Sequence, residues 1–383
     1  MTRTGTPLRI LFADSNNDGR ITQDDIDLVN KIINKEECTV FYYDYWGNAS
    51  PLNYPIVNPR IAVTYWQQAE EMGILGLWDN IVVANNSVFT SSSTSIYDTS
   101  GIVSIGTSSS SSSSVDDAGI ETMMENDVDL IIASCYTAIK DAAVELETLG
   151  IQSIFLWHAG SYCLSTILTL GVLLDQEENA QEYVAYCDGI VNTINDRLDG
   201  VERPTGIIVM MYENEDNYIS SNSGITTLVN DPEGAWYLIG EVLDVYTATP
   251  TNVSLGRAFY SEEWFMENDN LFDYIIQIEE STGLDGTKEK YNSRFDKNVE
   301  YFSNTDAYSE GNIVGTTYAF GGFAGYSLLM QIAWMVYPDH FTEEEALDST
   351  QFYYDNFTTA DIDVTERAYY YTGDNFVTNY MRD

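Results

Sequence analysis

Basic residues are scarce in this chain. Its 383 residues include 16 lysines and arginines against 60 aspartates and glutamates, which gives a net charge of −44 at neutral pH. Such a surface repels phosphate backbones and anionic membranes alike, and this excludes nucleic acid as a partner. A solvated acidic surface explains the excess more simply than a specific cation store does.

Cysteine, histidine and long apolar runs are also in short supply. The cysteines, Cys38, Cys135, Cys163 and Cys187, form no CxxC pair. Their spacing indicates neither a zinc knuckle nor a dense disulfide framework, although one or two bridges fit it. The sequence has no His-Glu-x-x-His, no Gly-x-Ser-x-Gly and no glycine-rich phosphate loop. It also has no run of roughly 18 apolar residues. The start "MTRTGTPLRI" lacks the apolar region of a signal peptide, so we expect any export signal to be removed or absent.

The stretch "ADSNNDGRITQDDIDLVNKII" at residues 13–33 has the oxygen spacing of a calcium loop that runs into a helix. Carboxylate and amide side chains fall at loop positions 1, 3, 5 and 12, and Gly19 at position 6 permits the sharp turn. An aspartate-rich turn without metal is the alternative, but the apolar residues that follow at helical spacing favour calcium. The expected ligands are Asp14, Asn16, Asp18, the backbone carbonyl of Arg20, Thr22 and Asp25.

The same stretch resembles a dockerin repeat, because position 12 is an aspartate and the helix reads "DDIDLVNKII". Dockerins carry two such repeats, and one is intact here. The resemblance implies a cohesin-like module as a partner. We expect structural Ca²⁺ in this loop and the main function further along the chain.

Strand and helix signals alternate through the rest of the chain. A hairpin in "TVFYYDYWGNASPLNYP" precedes a strand at 61–64, a helix from about 67 to 72 and a strand at 81–84. Three later segments each place an apolar strand before a polar or small-residue loop. This order predicts parallel sheets with ligand loops at the carboxyl ends of the strands. The serine run at 108–114 predicts a loop.

A long helix is predicted over residues 176–198. At 1.5 Å per residue it would be about 35 Å long, enough to span two lobes. The prediction rests on apolar residues at the spacing of one helical face: Ala180, Tyr183, Val184, Cys187, Ile190, Val191, Ile194 and Leu198.

These elements in this order resemble the substrate-binding proteins of ABC importers that take up iron chelates and cobalamin, class III of the periplasmic binding proteins. The matching segments include "RIAV…EEMGILGLWDNIVV", "IETMMENDVDLIIAS", "LGIQSIFL", "LGVLLDQEENA", "SEEWFMENDNLFDYIIQI" and "GGFAGYSLLMQIAWMVYPDHF". The resemblance implies an α/β fold with two Rossmann-like lobes joined by a long rigid helix. The expected division is a dockerin-like EF-hand segment at 1–37, a first lobe at 38–175, the helix at 176–199 and a second lobe at 200–383.

The resemblance also implies a function. The chain is expected to be an extracytoplasmic, monomeric protein without enzyme activity. It would capture a cobalamin-like, haem-like or siderophore-like metal chelate between its lobes and deliver it to an ABC permease. The alternatives are a dockerin-bearing glycoside hydrolase, which the many carboxylates allow, and a calcium-dependent cell-surface adhesion module.

The candidate ligand residues follow predicted strands, are rich in aromatic rings and include no lysine or arginine; the nearest basic side chain is Arg257. Anionic chelates are usually held by arginine or lysine clusters, so we expect a neutral or cationic ligand with a large flat surface. Packing in the core is the alternative for any single ring. Besides Asn85, Asn86 and the loop 157–161, the candidates are Tyr65, Trp66, Ser134, Cys135, Tyr136, Trp157, His158, Met210, Met211, Tyr212, Phe259, Tyr260, Tyr318 and Phe320.

Two further roles are assigned to single residues. His158, Cys135, Met210 or Met211 could ligate a metal or haem iron, whereas a histidine bonded to nearby backbone is the simpler interpretation. The resemblance implies that Glu121 and Glu263, each near the start of a helix, dock on arginines of the permease. A stabilising acidic helix start is the alternative for both.

Overall fold

The structure is a computed structural model. It describes residues 14–91, 94, 96–105, 115–134, 137–158, 162–211, 225–228, 239–240, 242–245, 257–260, 262–279, 302–317, 322–366 and 370–371.

The chain divides into two compact units. The first comprises Met1–Asn86, Gly101–Trp157 and Leu164–Glu182, and the second comprises Ser87–Ser100, His158–Cys163 and Tyr183–Asp383. The N-terminal segment therefore belongs to the first unit and does not form a unit of its own. The long helix begins in the first unit and continues in the second.

Eleven helices are assigned within the described residues. The long helix predicted over 176–198 is α7, whose observed bounds fall one residue inside that range at each end. The helices are α1 (Gln23–Ile33), α2 (Trp66–Ile74), α3 (Asn86–Thr90), α4 (Asp117–Glu125), α5 (Thr137–Thr148), α6 (Cys163–Leu173), α7 (Glu177–Arg197), α8 (Glu262–Glu267), α9 (Asp306–Ser309), α10 (Gly325–Val336) and α11 (Glu343–Phe357).

The strands in the described part of the chain form three sheets. They are β1 (Cys38–Tyr43), β2 (Ala49–Tyr54), β3 (Ile61–Val63), β4 (Ile81–Ala84), β5 (Val103–Ser104), β6 (Leu130–Ala133), β7 (Gln152–Phe155), β8 (Thr205–Met211), β9 (Ile225–Leu228), β10 (Asp244–Val245), β11 (Arg257–Tyr260), β12 (Tyr274–Glu279), β13 (Ile313–Thr317) and β14 (Tyr370–Tyr371).

The first unit is built on a parallel sheet in the order β5-β4-β3-β6-β7. Its central strands β3 and β6 are buried along their whole length, as expected for a parallel sheet covered on both faces. Helices α4 and α5 contribute Ile120, Met123, Ile139 and Leu146 to one hydrophobic cluster with these strands. The sequence-based prediction of parallel βα units is confirmed here.

A hairpin of β1 and β2 lies beside this sheet. The hydroxyl of Tyr42 donates to the carbonyl of Ser153 and accepts from the backbone N–H of Phe155, both at 3.1 Å. Those two groups belong to β7, one of the two edge strands of the sheet, so the tyrosine covers hydrogen-bonding groups that an edge strand would otherwise expose.

Helix α1 is attached to the first unit by polar contacts. The hydroxyl of Tyr54 donates to the carbonyl of Ile32 at 3.1 Å, and Lys35 forms an ion pair with Asp175. The apolar side chains Ile26 and Ile33 are 55% and 68% exposed. The predicted helix is therefore present, but its apolar face is not buried in the core of the unit.

The second unit contains a mixed sheet in the order β11-β9-β8-β12-β13-β14, with β10 beside β8. Strands β8, β10, β12 and β13 pair in parallel, whereas β9, β11 and β14 pair antiparallel. The antiparallel strands depart from the purely parallel pattern that the sequence suggested.

Aromatic side chains pack α7 against α11 in this unit. Tyr183 is fully buried, its hydroxyl donates to the carbonyl of Phe323 at 2.7 Å, and its ring meets Phe357 edge to face at 5.2 Å. Near the end of α7, Arg197 forms a two-pronged ion pair with Glu345, at 2.7 and 3.0 Å. Within the described residues, no helix has both the length and the apolar character needed to cross a membrane.

Candidate functional site

The carboxyl edge of the first-unit sheet is the candidate site. From β3 the chain proceeds to β4 and β5 on one side, and it returns to place β6 on the other side of β3. Strand order therefore reverses between β3 and β6. Open parallel sheets bind ligands just beyond the carboxyl ends of their strands at such a switch point.

A buried hydrogen-bond network joins the ends of these two strands. The hydroxyl of Thr64, just after β3, accepts from the backbone N–H of Ser134, just after β6, at 2.7 Å. It also lies 3.2 Å from the hydroxyl of Ser134 and 3.1 Å from Oε1 of Gln68. The network fixes the relative position of the two chain segments that leave the switch point.

Gln68 was missed by the sequence reasoning and is central to this network. Its Oε1 accepts from the backbone N–H groups of Thr64 and Tyr65, both at 2.8 Å, and so caps the start of α2. Its buried Nε2 has no hydrogen-bond partner in the described part of the chain. The only signal in the sequence was that Gln68 lies three residues after Tyr65, the residue that caps the helix, which is the capping-box spacing.

The adjacent aromatics Tyr65 and Trp66 have different environments. Tyr65 precedes α2, has an extended backbone conformation and is half-buried. Trp66 opens the helix and is only 2% exposed. The structure places Trp66 in the interior, which favours a packing role for it. Tyr65 keeps part of its ring accessible.

Trp157 follows β7 and is half-buried. Its ring stacks on that of Tyr45, with centroids 5.0 Å apart and an interplanar angle of 23°. The backbone N–H of Tyr45 donates to the carbonyl of Phe155 at 3.0 Å, which holds the hairpin turn beside the end of β7. Tyr45 is, after Gln68, a second residue that sequence reasoning missed, because it lies in the hairpin turn and not after a strand of the sheet.

Three further predicted residues can be placed. Asn85, just after β4, is buried and donates its backbone N–H to the carbonyl of Val63 at 2.9 Å, whereas Asn86 is exposed. His158 is 5% exposed and belongs to the second unit. Its low exposure agrees with a histidine engaged inside the protein, and its role as a metal ligand stays a prediction.

Several predicted ligand residues cannot be placed. Met210 and Met211 lie in β8, and Phe259 and Tyr260 lie in β11; of these four residues the backbone alone is described. The others lie outside the described residues: Cys135, Tyr136, Tyr212, Tyr318, Phe320 and the loop residues 159–161.

Hydrogen bonds from backbone N–H groups to side chains hold the predicted calcium loop. Both carboxylate oxygens of Asp14 accept backbone N–H bonds, from Asp18 at 3.0 Å and from Gly19 at 2.7 Å. Gly19 has φ of +85°, the left-handed conformation that glycine adopts without strain. The loop side chains supply oxygen atoms that can ligate a metal, and oxygen ligands suit a hard cation.

The other end of the loop is used for helix capping. Asp25 is buried, and its carboxylate accepts the N–H groups of Ser15 and Thr22 at 2.8 and 2.6 Å. These bonds lower the pKa of Asp25, with Thr22 contributing most. No group of three or more His, Cys, Asp or Glu side chains gathers around a metal position anywhere in the described ranges. Calcium binding therefore stays a prediction.

The two predicted docking carboxylates are both exposed. Glu263 is the second residue of α8, as expected. Glu121 does not open its helix: α4 begins at Asp117 and is capped by Asp116, whose side chain accepts from Gly119. Glu121 is the fifth residue of this helix, because the cap residue Asp116 sets the boundary.

Three cysteines, Cys38, Cys163 and Cys187, lie among the described residues, and none of them is in a disulfide there. Burial raises the pKa of the Cys38 and Cys187 thiols, so both are held in the protonated form. No bridge therefore joins these three residues, and Cys135 lies outside the described part.

Comparisons with known proteins place the fold. No protein-family model matches the chain, and no curated protein matches it in sequence. Solved structures do match. The chain is similar to FepB, a TroA-like periplasmic binding protein from Veillonella parvula, at 15% identity and a TM-score of 0.63, over 87% of this chain and 99% of that one.

Two other likenesses extend this result. Helicobacter pylori CeuE, solved as a complex with nickel and histidine, is 17% identical with a TM-score of 0.60, over 86% of this chain and 98% of that one. A periplasmic haem-binding protein from Pseudomonas aeruginosa is 14% identical with a TM-score of 0.53, over 74% of this chain and 94% of that one. The chain therefore has the mixed α/β fold of the TroA-like periplasmic binding proteins.

Proposed function

We propose that the chain is a solute-binding protein that captures a metal chelate or corrinoid and delivers it to an ABC import permease. The observation that carries the proposal is the carboxyl edge of the first-unit sheet. There the switch point between β3 and β6 is closed by the Thr64–Ser134 bond, and the half-buried rings of Tyr65 and Trp157 follow two strands of the same sheet.

The fold supports this proposal. The similar structures are those of FepB, of CeuE in complex with nickel and histidine, and of a haem-binding protein. Folds of this kind serve many ligands, so the site has to identify the solute class. The likeness favours solute capture over a glycoside hydrolase or an adhesion module.

The composition of the candidate residues limits the chemical class of the ligand. They offer aromatic rings, hydroxyls and amides, and none is a lysine or arginine. Ring faces bind flat apolar surfaces and attract cations, whereas an anionic ferric chelate would lack a partner for its charge. The proposed solute is thus a chelate of low net charge with a large flat surface, with corrinoid and haem-like macrocycles as the main class.

Absorbance titration with native mass spectrometry tests the proposal. The purified protein is incubated with cyanocobalamin, haem, nickel–histidine and a ferric catecholate. We expect saturable one-to-one binding of a macrocycle or nickel–histidine and much weaker binding of the catecholate. Tight binding of the catecholate alone would contradict the ligand class. Binding of none of the four, together with polysaccharide hydrolysis or calcium-dependent adhesion, would contradict solute capture itself.

The N-terminal loop is proposed to bind Ca²⁺ as a structural ion. Asp14, Asn16, Asp18 and Asp25 with the Arg20 carbonyl supply oxygen donors at the required spacing, and Thr22 supplies a hydroxyl or a water site. A cohesin-like partner for this segment is a separate proposal. A pull-down with a cohesin, with and without calcium, tests that partner, and calorimetry with calcium alone tests the ion.

Delivery to a permease implies an extracytoplasmic, monomeric protein. We propose that Glu121 and Glu263 meet basic residues of the permease, because each is an exposed carboxylate on a helix of a different unit. Charge pairs of this kind set the orientation of docking more than its strength. Cell fractionation and light scattering test the location and the oligomeric state.

A further inference from the structure

A groove of about 480 Å³ lies in the first unit, along β7, an edge strand of its sheet. Its walls are the hairpin β1–β2 on one side and α5 with β7 on the other. Its volume lies within the range of roughly 300–1,000 Å³ that small-molecule sites occupy. None of the candidate residues of the proposed solute site lines it.

Apolar surface lines much of the groove. The rings of Trp46 and Phe155 lie 5.3 Å apart, and Leu52, Ile151 and Val144 line the walls. Val144, on α5, is 68% exposed, which is a large exposure for an apolar side chain. A flat apolar ligand would cover this surface.

Three of the buried or half-buried acceptor groups that line the groove already have donors within the protein. Asp44 is buried, and its two carboxylate oxygens accept from the backbone and side chain of Asn48 and from the hydroxyl of Ser50, at 2.8 to 3.2 Å. Oε1 of Gln152 accepts from the backbone N–H of Asn53 at 2.7 Å. The carbonyl of Ser153 accepts from Tyr42.

Donors, in contrast, remain available. The buried hydroxyl of Ser153 has no hydrogen-bond partner among the residues that the structure describes. The ammonium of Lys140 lies 4.0 Å from the centre of the Trp46 ring. An ammonium over a ring face still has N–H groups to direct elsewhere. Gln152 adds its amide nitrogen, because its oxygen is the atom bonded to Asn53.

The groove therefore contains the aromatic rings of Trp46 and Phe155, one cation and hydrogen-bond donors without a described partner in the groove, whereas the acceptors described above already have donors. We propose that it is an accessory binding site for a small planar carboxylate, whose ring system lies along Trp46 and Phe155 and whose carboxylate pairs with Lys140. The exposed Glu147 at the rim and the net charge of −44 oppose an anion. The charges spread over the surface are screened beyond about 8 Å at physiological salt, so the contacts inside the groove dominate.

The test uses 2-naphthoate and its uncharged counterpart 2-naphthamide as probes of the full-length protein. Calorimetry and tryptophan fluorescence measure their binding. We expect saturable one-to-one binding of naphthoate and at least about tenfold weaker binding of naphthamide, because a charge-assisted bond is stronger than a neutral one. Absence of saturable naphthoate binding at millimolar concentration, or equal affinity for the two probes, would overturn the proposal.

Variants locate the probe. Lys140→Met keeps an apolar stem but loses the cation, and should weaken naphthoate binding about tenfold while leaving naphthamide unchanged. The control Lys31→Met removes an exposed lysine of α1 and should change neither. Ser153→Ala provides an independent variant that leaves Lys140 in place, and it should weaken naphthoate binding to a smaller extent. Unchanged naphthoate affinity in folded Lys140→Met and Ser153→Ala would place the probe elsewhere and refute the assignment.

Discussion

The hydroxyl of Thr64 accepts the backbone N–H of Ser134 at 2.7 Å, although 70 positions separate the two residues. The bond links the chain segments that leave the two central strands of the first unit. Both residues are buried, so neither group can exchange its partner for bulk water.

Replacing Thr64 by valine should lower stability and weaken solute binding. Valine preserves the shape but leaves the N–H of Ser134 without its acceptor, at a cost of roughly 1–3 kcal/mol. Denaturant unfolding and a solute titration measure the two effects. Thr193→Val is the matched control, because the hydroxyl of Thr193 bonds only to the exposed backbone of its own helix. Equal stability losses in the two variants would contradict the prediction.

Alanine substitutions should separate the roles of Trp66 and Trp157. Trp66 is almost fully buried, so its loss should cost about 3–5 kcal/mol of folding stability. Trp157 is half-buried on Tyr45, and its loss should weaken solute binding by roughly 1–3 kcal/mol. Unfolding curves and binding titrations distinguish the cases. If Trp157→Ala folds normally and binds the solute unchanged, the ring does not contact it.

Asp14→Ala, or a chelator, should loosen residues 14–33 and leave solute affinity nearly unchanged. Asp14 accepts the N–H of Gly19, and the proposed ion would hold the same loop. Hydrogen exchange with and without calcium reports the loosening, and Asp27→Ala in the exposed part of α1 is the control. Because Tyr54 and Lys35 attach α1 to the first unit, a small loss of overall stability is also expected. Loss of solute binding on calcium removal would show that the loop has a direct part in capture.

Acid should weaken the contact between α7 and α11. The hydrogen bond from Arg197, with help from Thr342, lowers the pKa of Glu345 from its ordinary value of 4.5 to about 2. A depressed carboxylate pKa stabilises the folded state above pH 4.5, and this contribution is lost as pH falls towards 2. Since both side chains are more than a third exposed, the pair should contribute only about 0.2–1 kcal/mol.

The variant Glu345→Gln keeps an oxygen for the helix cap and removes the charge. Its unfolding free energy should lie below that of the wild type at pH 6 and approach it near pH 2. The exposed Glu344→Gln is the control and should behave like the wild type. A pH-independent difference between Glu345→Gln and the wild type would mean that the charge is not the cause.

Charge reversal at Glu121 and Glu263 should reduce uptake without changing solute affinity. Exposed lysines at these positions would repel basic residues of a permease. The matched control reverses Glu125 and Glu267, which are exposed on the same two helices. Transport into vesicles that contain the permease is the measurement. An undiminished rate in the Glu121→Lys, Glu263→Lys variant would refute the docking role.

The sequence by itself determined the local elements and their order. Apolar runs such as Ile81–Ala84 can be read directly as buried parallel strands, since both of their faces are covered and no polar alternation interrupts them. The long helix α7 followed from its apolar spacing, and the turn between β1 and β2 from its Gly-Asn pair. Each of these signals is formed by residues close together in the chain, so it can be read from the sequence without knowledge of the fold.

Only the tertiary structure decided which side chains share an environment. Trp66 and Trp157 both follow strands, yet one is buried and the other is stacked half-open on Tyr45, because exposure depends on packing from distant parts of the chain. The same dependence on packing explains three further features: the Gln68 amide nitrogen without a partner among the described residues, the hydrogen bonds that Asp44 accepts, and the antiparallel strands of the second unit. Each depends on partners brought together by long-range contacts, for which sequence spacing gives no local signal.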